Sequence, residues 1–74
     1  MKIELNGEVR DVAEGVTVDE VIGMVAGGRI PPDRGGVAVA LDGEVIPRSA
    51  WASTTPDPGA EIEVVAAIQG GSGQ

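Results

Sequence analysis

The segment LNGEV at residues 5–9 recurs almost unchanged as LDGEV at residues 41–45. Asn-Gly and Asp-Gly between apolar residues are strong β-hairpin signals, because both central residues of a type I′ turn need a positive φ. The flanking segments, KIEL with EVRDV and VAVAL with EVI, have the composition of strands. Val9 and Val12 fall out of step in the first hairpin, so a bulge or a change of register is an alternative there.

The segment between the hairpins predicts one helix. Thr17 as N-cap, with Glu20 three residues later, forms a capping box in which each side chain satisfies a free amide of the first turn. Apolar residues then recur on one helical face: Val18, Val21, Ile22 and Val25. The helix is expected to end at the glycine pair of residues 27–28, since a C-cap favours a residue that tolerates the left-handed region.

The last apolar segment, EIEVVAAI at residues 61–68, begins as an alternating strand and becomes apolar on both faces from Val64. A strand that is covered on both faces belongs in the middle of a sheet. This pattern predicts a central last strand with Val65 in the core. Before it, PRSAW predicts a short turn or single helical turn, and Trp51, the only aromatic residue, is expected to close the edge of the core.

A central last strand must lie beside the first strand, and a right-handed crossover through the helix then connects the two hairpins. The predicted fold class is α+β, a β-grasp (ubiquitin-like) arrangement with a mixed sheet of about five strands and one helix packed on one face. Residues 1–68 are expected to form this domain, and residues 69–74 are expected to be a flexible C-terminal tail.

The charge balance narrows the classes of partner. Twelve acidic residues against five basic ones give a formal net charge of −7. This charge disfavours nucleic acid and anionic membrane surfaces, and it suits either a basic protein partner or plain solubility. No apolar signal segment follows Met1 and no run has the length of a membrane span, so a cytoplasmic location is expected.

The residue types present in the chain argue against an enzymatic function. The chain has no histidine and no cysteine, so the usual general base and the strongest side-chain nucleophile are missing, and its serines have no histidine to activate them. We therefore predict no catalytic residue, no metal site and no cofactor. The chemistry that remains is that of the C-terminal segment AIQGGSGQ, in which Gly70 and Gly71 are either a functional end or the start of an inert linker.

Four motifs together resemble the sulfur-carrier proteins of thiamin biosynthesis, the ThiS family. They are LNGE at residues 5–8, the capped helix after Thr17, VAVALDGEVIPRSAW at residues 37–51 and EIEVVAAIQGG at residues 61–71. The combination of VIPRSAW with a later QGG is the most specific of them, whereas LNGE alone is weak. The resemblance covers the chain from Met1 to Gly71.

The resemblance implies a β-grasp carrier that is a protein co-substrate and sulfur donor. An adenylyltransferase of the ubiquitin-activating type, which uses ATP, would adenylate Gly71, and the adenylate would become a thiocarboxylate that supplies sulfur to thiazole synthase. Ile68, Gln69 and Gly70 would then form the partner-binding tail, although Ile68 is equally suited to the edge of the sheet. For Arg48, contact with a partner and capping of a neighbouring carbonyl group remain alternatives.

The chain departs from the family pattern at its end, because residues 72–74 follow the second glycine. The carboxyl group of Gly71 is thus in a peptide bond to Ser72, so either a processing peptidase removes Ser72 to Gln74 or these residues are not native. The segment TTPDPGAE also lacks the residues expected before the last strand. Two other functions stay open: a molybdopterin-type sulfur carrier, and a ubiquitin-like binding module with an inert tail.

Overall fold

The structure is a computed structural model that describes residues 1–25 and 35–66. These ranges contain the strands β1 (Lys2–Leu5), β2 (Glu8–Asp11), β3 (Val37–Leu41), β4 (Glu44–Val45) and β5 (Glu61–Ala66), the helix α1 (Val18–Ile22) and a 3₁₀ turn (Arg48–Ser53). The strands form one sheet in the order β2-β1-β5-β3-β4. Only β1 and β5 pair in parallel, and the other neighbours are antiparallel. The predicted mixed sheet with a central last strand is confirmed.

Both predicted hairpins are present. Asn6 and Gly7 have φ values of 50° and 85°, and Asp42 and Gly43 have the same two values, as type I′ turns require. The β1–β2 pairs run without interruption from Leu5 and Glu8 to Lys2 and Asp11, so these strands contain neither a bulge nor a change of register.

The capping box predicted for α1 is also present. The Thr17 hydroxyl group accepts a hydrogen bond of 3.2 Å from the Glu20 amide, and the Glu20 carboxylate accepts one of 2.9 Å from the Thr17 amide. Val18, Val21 and Ile22 are fully buried. The capping residues thus set both the start of the helix and the face that it buries.

The prediction that α1 extends to the glycine pair was wrong. The helix ends at Ile22, and the chain continues in tighter turns in which the amides of Met24 and Val25 donate to the carbonyl groups of Val21 and Ile22. Gly23 lowers the helix propensity at this point, and i→i+3 bonds commonly replace the α-helical ones in a last turn. Residues 27–28 lie outside the described ranges.

Trp51 lies in the core, as predicted. Its side chain is 4% exposed, and its indole N–H donates a hydrogen bond of 2.9 Å to the carbonyl oxygen of Ile46. The 3₁₀ turn that carries it packs against α1, and the Val18 amide donates to the Thr54 carbonyl group at 2.8 Å. The buried cluster consists of Ile3, Leu5, Val18, Val21, Ile22, Val39, Trp51, Ile62 and Val64. No helix within the described ranges is long and apolar enough to cross a bilayer.

The prediction that Val65 lies in the core was wrong. Val65 is 64% exposed, whereas Val64, its neighbour in β5, is 7% exposed. β5 is central, as predicted, but within the described ranges α1 and the 3₁₀ turn cover only one face of the sheet. Alternate side chains of a strand point to opposite faces, so Ile62 and Val64 face the core while Val65 lies on the open face.

Replacing each of these two neighbours by alanine tests the assignment of faces. Val64→Ala removes buried methyl groups and should lower the free energy of unfolding by about 2 kcal/mol. Val65→Ala, the matched control, should change it by less than about 0.5 kcal/mol. Urea denaturation followed by Trp51 fluorescence measures both, and equal losses would contradict the assignment.

Candidate functional site

The predicted site residues fall into two groups. Ile68, Gln69, Gly70 and Gly71 lie outside the described residues, so their roles stay predictions. Arg48 is described: its side chain is exposed, and its guanidinium carbon lies 5.8 Å from the centroid of the Trp51 ring. This stacking is a cation–π contact within the 3₁₀ turn, and a role of Arg48 in contacting a partner also stays a prediction.

The end of β5 that leads into the predicted tail is held by Asn6. The Asn6 carboxamide oxygen accepts a hydrogen bond of 2.8 Å from the Val64 amide, and the carboxamide N–H donates one of 3.3 Å to the Val64 carbonyl oxygen. These bonds join residues 58 positions apart in sequence. The first hairpin turn is therefore tied to the segment that precedes the glycine pair.

The second hairpin turn holds the beginning of the same strand. The Asp42 amide donates a hydrogen bond of 2.7 Å to the Glu61 carbonyl oxygen, and the Asp42 carboxylate accepts one of 2.9 Å from the Glu61 amide. The first residues of the two repeated turns thus bind the two ends of β5. Sequence reasoning noted the repeat but missed these contacts, because spacing alone does not show which strand lies beside a turn.

The open face of the sheet carries an apolar strip, which consists of Ala38, Ala40, Val45 and Val65. The strand register places Ala38 opposite Val65 and Ala40 opposite Val45, and Val45 is 73% exposed. The strip therefore runs across β5, β3 and β4 and includes a residue next to the described end of β5. Val9, which is 66% exposed, lies on the same face but on the far edge strand β2, opposite Glu4.

An acidic row lies beside this strip and consists of Glu4, Glu61 and Glu63. Glu4 is directly opposite Glu61 in the parallel β1–β5 pair, and Glu63 is opposite Ala40. The pKa of Glu61 is raised above its ordinary value of 4.5, chiefly because its side chain hydrogen-bonds to Glu4 and the Glu4 charge repels its ionised form, with smaller effects from desolvation, Asp42 and Glu63. Within the described ranges, no group of three or more acidic residues could hold a metal ion.

The chain matches the profile of the ThiS family over residues 3–71. It belongs to the ThiS family. The resemblance to this family that the sequence motifs indicated is thereby confirmed. The matched residues include the glycine pair and end at Gly71.

Solved structures support the same assignment. The chain is similar to the thiamine biosynthesis protein ThiS of Geobacter metallireducens, both in its crystal structure and in its solution structure. The crystal structure has 31% sequence identity and a TM-score of 0.69, covering 95% of this chain and 99% of the other. The solution structure has 29% identity and the same TM-score, covering 100% and 92%. The β-grasp prediction is therefore confirmed.

A curated relative is the thiazole synthase of Paramagnetospirillum magneticum, which is 35% identical to this chain over 74 residues. The match covers 100% of this ThiS family chain but only 21% of the relative, so the chain spans about a fifth of the length of the protein that it matches.

Replacement of Glu61 by glutamine tests the repulsion within the acidic row. A raised pKa means that the folded state gains protons before the unfolded state as the pH falls, so ionised Glu61 opposes folding above its folded pKa and this opposition fades toward pH 4.5. Glu61→Gln should therefore raise the urea midpoint at pH 7, and the gain should shrink as the pH is lowered toward 4.5.

Glu14→Gln is the matched control, because Glu14 is exposed in the turn after β2, away from the row. It should leave the pH dependence of the urea midpoint unchanged. A Glu61→Gln chain that is less stable than the parent at pH 7 would contradict the raised pKa.

Proposed function

We propose that this chain carries sulfur for thiazole formation on the carboxyl group of Gly71. The observation that carries the proposal is that the ThiS family match includes Gly70 and Gly71 and ends there. Glycine has no Cβ, so a chain that ends in this pair can enter a narrow enzyme channel. The carrier acts as co-substrate and sulfur donor, and its partners perform the catalysis.

Activation is needed because a free terminal carboxyl group is ionised at neutral pH, with a pKa of about 3.5, and is then a poor electrophile. The Gly71 carboxylate attacks the α-phosphorus of ATP in an adenylyltransferase of the ubiquitin-activating type, which forms an acyl adenylate and releases pyrophosphate. The sulfur of hydrosulfide then attacks the acyl carbon and displaces AMP. The product is the Gly71 thiocarboxylate, the form that donates sulfur.

A processing step must come first in a chain that contains residues 72–74, since the Gly71 carboxyl group is then part of the peptide bond to Ser72. A peptidase that hydrolyses this bond releases the Gly71 carboxylate and the peptide of residues 72–74. A chain in which Ser72 still follows Gly71 is thus a precursor that is not a substrate for adenylation.

The apolar strip of the open face, with the acidic row beside it, is the docking surface for the adenylyltransferase in this proposal, and the edge strand β2 lies outside it. The apolar strip reaches the described end of β5, and the acidic row beside it suits arginine or lysine side chains of the partner. From Val65 to Gly71 an extended chain covers about 20 Å, which is enough to reach into a deep nucleotide site from a body docked on this face.

Thiazole synthase is the proposed acceptor of the sulfur. Support comes from the Paramagnetospirillum relative, which bears the name thiazole synthase and contains a stretch similar to this whole chain. The thiamin branch is favoured over a molybdopterin-type carrier because both the family match and the solved structures are ThiS proteins. A binding module with an inert tail remains the competing hypothesis that the next experiment addresses.

Three chains that end at different residues test whether Gly71 is the activated residue. A chain that ends at Gly71 should support pyrophosphate exchange with ATP in the presence of its adenylyltransferase and should gain the mass of one sulfur in place of one oxygen when sulfide is supplied. Chains that end at Gln69 or Gln74 should do neither. Intact mass spectrometry measures the product, and equal activity of all three chains would exclude Gly71 as the activated residue.

A charge placed in the apolar strip tests the docking face. Val65→Asp in the chain that ends at Gly71 should lower kcat/KM for adenylation about tenfold or more, because a carboxylate would be desolvated against the partner. Val9→Asp is the matched control, since it adds the same charge to an equally exposed valine on the far edge strand, and should cause less than a threefold change. Similar losses for both variants would rule out a localised docking strip.

A further inference from the structure

We infer that Asn6 is a positioning residue for the C-terminal segment of this carrier, and this inference rests on the proposed function. Main-chain pairing between β1 and β5 ends with the Asn6 amide, which donates a hydrogen bond of 2.9 Å to the Ile62 carbonyl oxygen. Beyond this point the chain turns away into the first hairpin, while β5 continues to Ala66. Further contact with β5 on this side comes from the Asn6 side chain.

The carboxamide of Asn6 makes the hydrogen bonds to β5 that the main chain of a longer β1 would make. Its oxygen accepts from the Val64 amide at 2.8 Å and its N–H donates to the Val64 carbonyl oxygen at 3.3 Å, which is the donor and acceptor pair that a main-chain neighbour would provide. The pairing of β5 on the β1 side is thereby extended from Ile62 to Val64. β5 is consequently held along both edges as far as Val64, because β3 pairs with it on the other side from Ile62 to Ala66.

Asparagine suits this position for a specific reason. The residue has a φ of 50°, which glycine, asparagine and aspartate tolerate best. Among these three, only asparagine has both a side-chain donor and a side-chain acceptor. The second turn needs only a side-chain acceptor, because the Asp42 amide itself donates to the Glu61 carbonyl oxygen. This difference accounts for Asn in LNGEV and Asp in LDGEV.

The position of this contact gives it a consequence for adenylation. An extended chain from Val64 to Gly71 covers about 24 Å, and the Asn6 bonds fix the place on the sheet from which this reach begins. Loss of these bonds would let β5 move at Val64 and would lower the fraction of bound carriers whose Gly71 carboxyl group lies at the nucleotide. A reacting group must lie within a few ångströms of the atom that it attacks, and misplacement lowers the rate of the chemical step. Asn6 thus directs the end of the carrier without touching the nucleotide.

Asn6→Gly, made in a chain that ends at Gly71, removes both side-chain bonds and keeps the turn. The chain that ends at Gly71 contains every residue of the described fold. With carrier as the varied substrate of the adenylyltransferase, kcat should fall about five- to tenfold while KM stays within about twofold. Asn6→Asp, which keeps the acceptor, should restore part of kcat. A loss of stability alone would raise KM at unchanged kcat, because only the folded fraction is a substrate.

Asp42→Gly is the matched control, because it removes a turn side chain that holds the other end of β5. Its kcat should stay within about twofold of the parent. Amide hydrogen exchange should accelerate at Val64 in Asn6→Gly and at Glu61 in Asp42→Gly. Unchanged kcat in Asn6→Gly, or equal losses in both variants, would overturn the inference alone. Failure of the parent chain to be adenylated would overturn the proposed function and the inference with it.

Discussion

The position of β5 in the middle of the sheet is the constraint on which the other elements depend. β1 and β3 pair with its two edges, and each carries an outer strand through a hairpin whose first turn residue binds back to β5. The repeated turns therefore close the hairpins and also hold the strand between them. Since Ile62 and Val64 of this strand also contribute to the buried cluster, the core and the hydrogen-bonded sheet share one element.

The two faces of the sheet differ in their residues and in their effect on stability. The covered face buries aliphatic residues and Trp51, which gives a small chain most of its stability. On the open face Glu4 and Glu61 are direct neighbours, and their repulsion lowers stability at neutral pH. A protein selected for stability alone would have opposite charges at such a cross-strand pair. In the proposed carrier this row is the part of the open face that suits arginine or lysine side chains of a partner.

Local signals in the sequence predicted the hairpins, the capping box and the central last strand, because type I′ turns and helix caps are determined by neighbouring residues. The prediction that Val65 is buried was wrong, because a run of apolar residues does not show whether a second layer covers the other face of the sheet. The early end of α1 depends on Gly23 and on packing, which periodicity does not report. The contacts of Asn6 and Asp42 join distant residues, so only the folded chain shows them. The family resemblance predicts that Gly70 and Gly71 are the functional end, which composition alone left open, and this stays a prediction.

The place of β5 in the sheet also affects how the chain is made. Its partners β1 and β3 emerge from the ribosome first, and neither can complete its pairing until residues 61–66 have left the exit tunnel. Contacts between the first and last strands have a large sequence separation, which slows folding. If synthesis stopped before β5, β1 and β3 would lack the strand with which both of them pair, and such fragments would be susceptible to proteolysis. The described fold can therefore form only after its last strand, β5, has been synthesised.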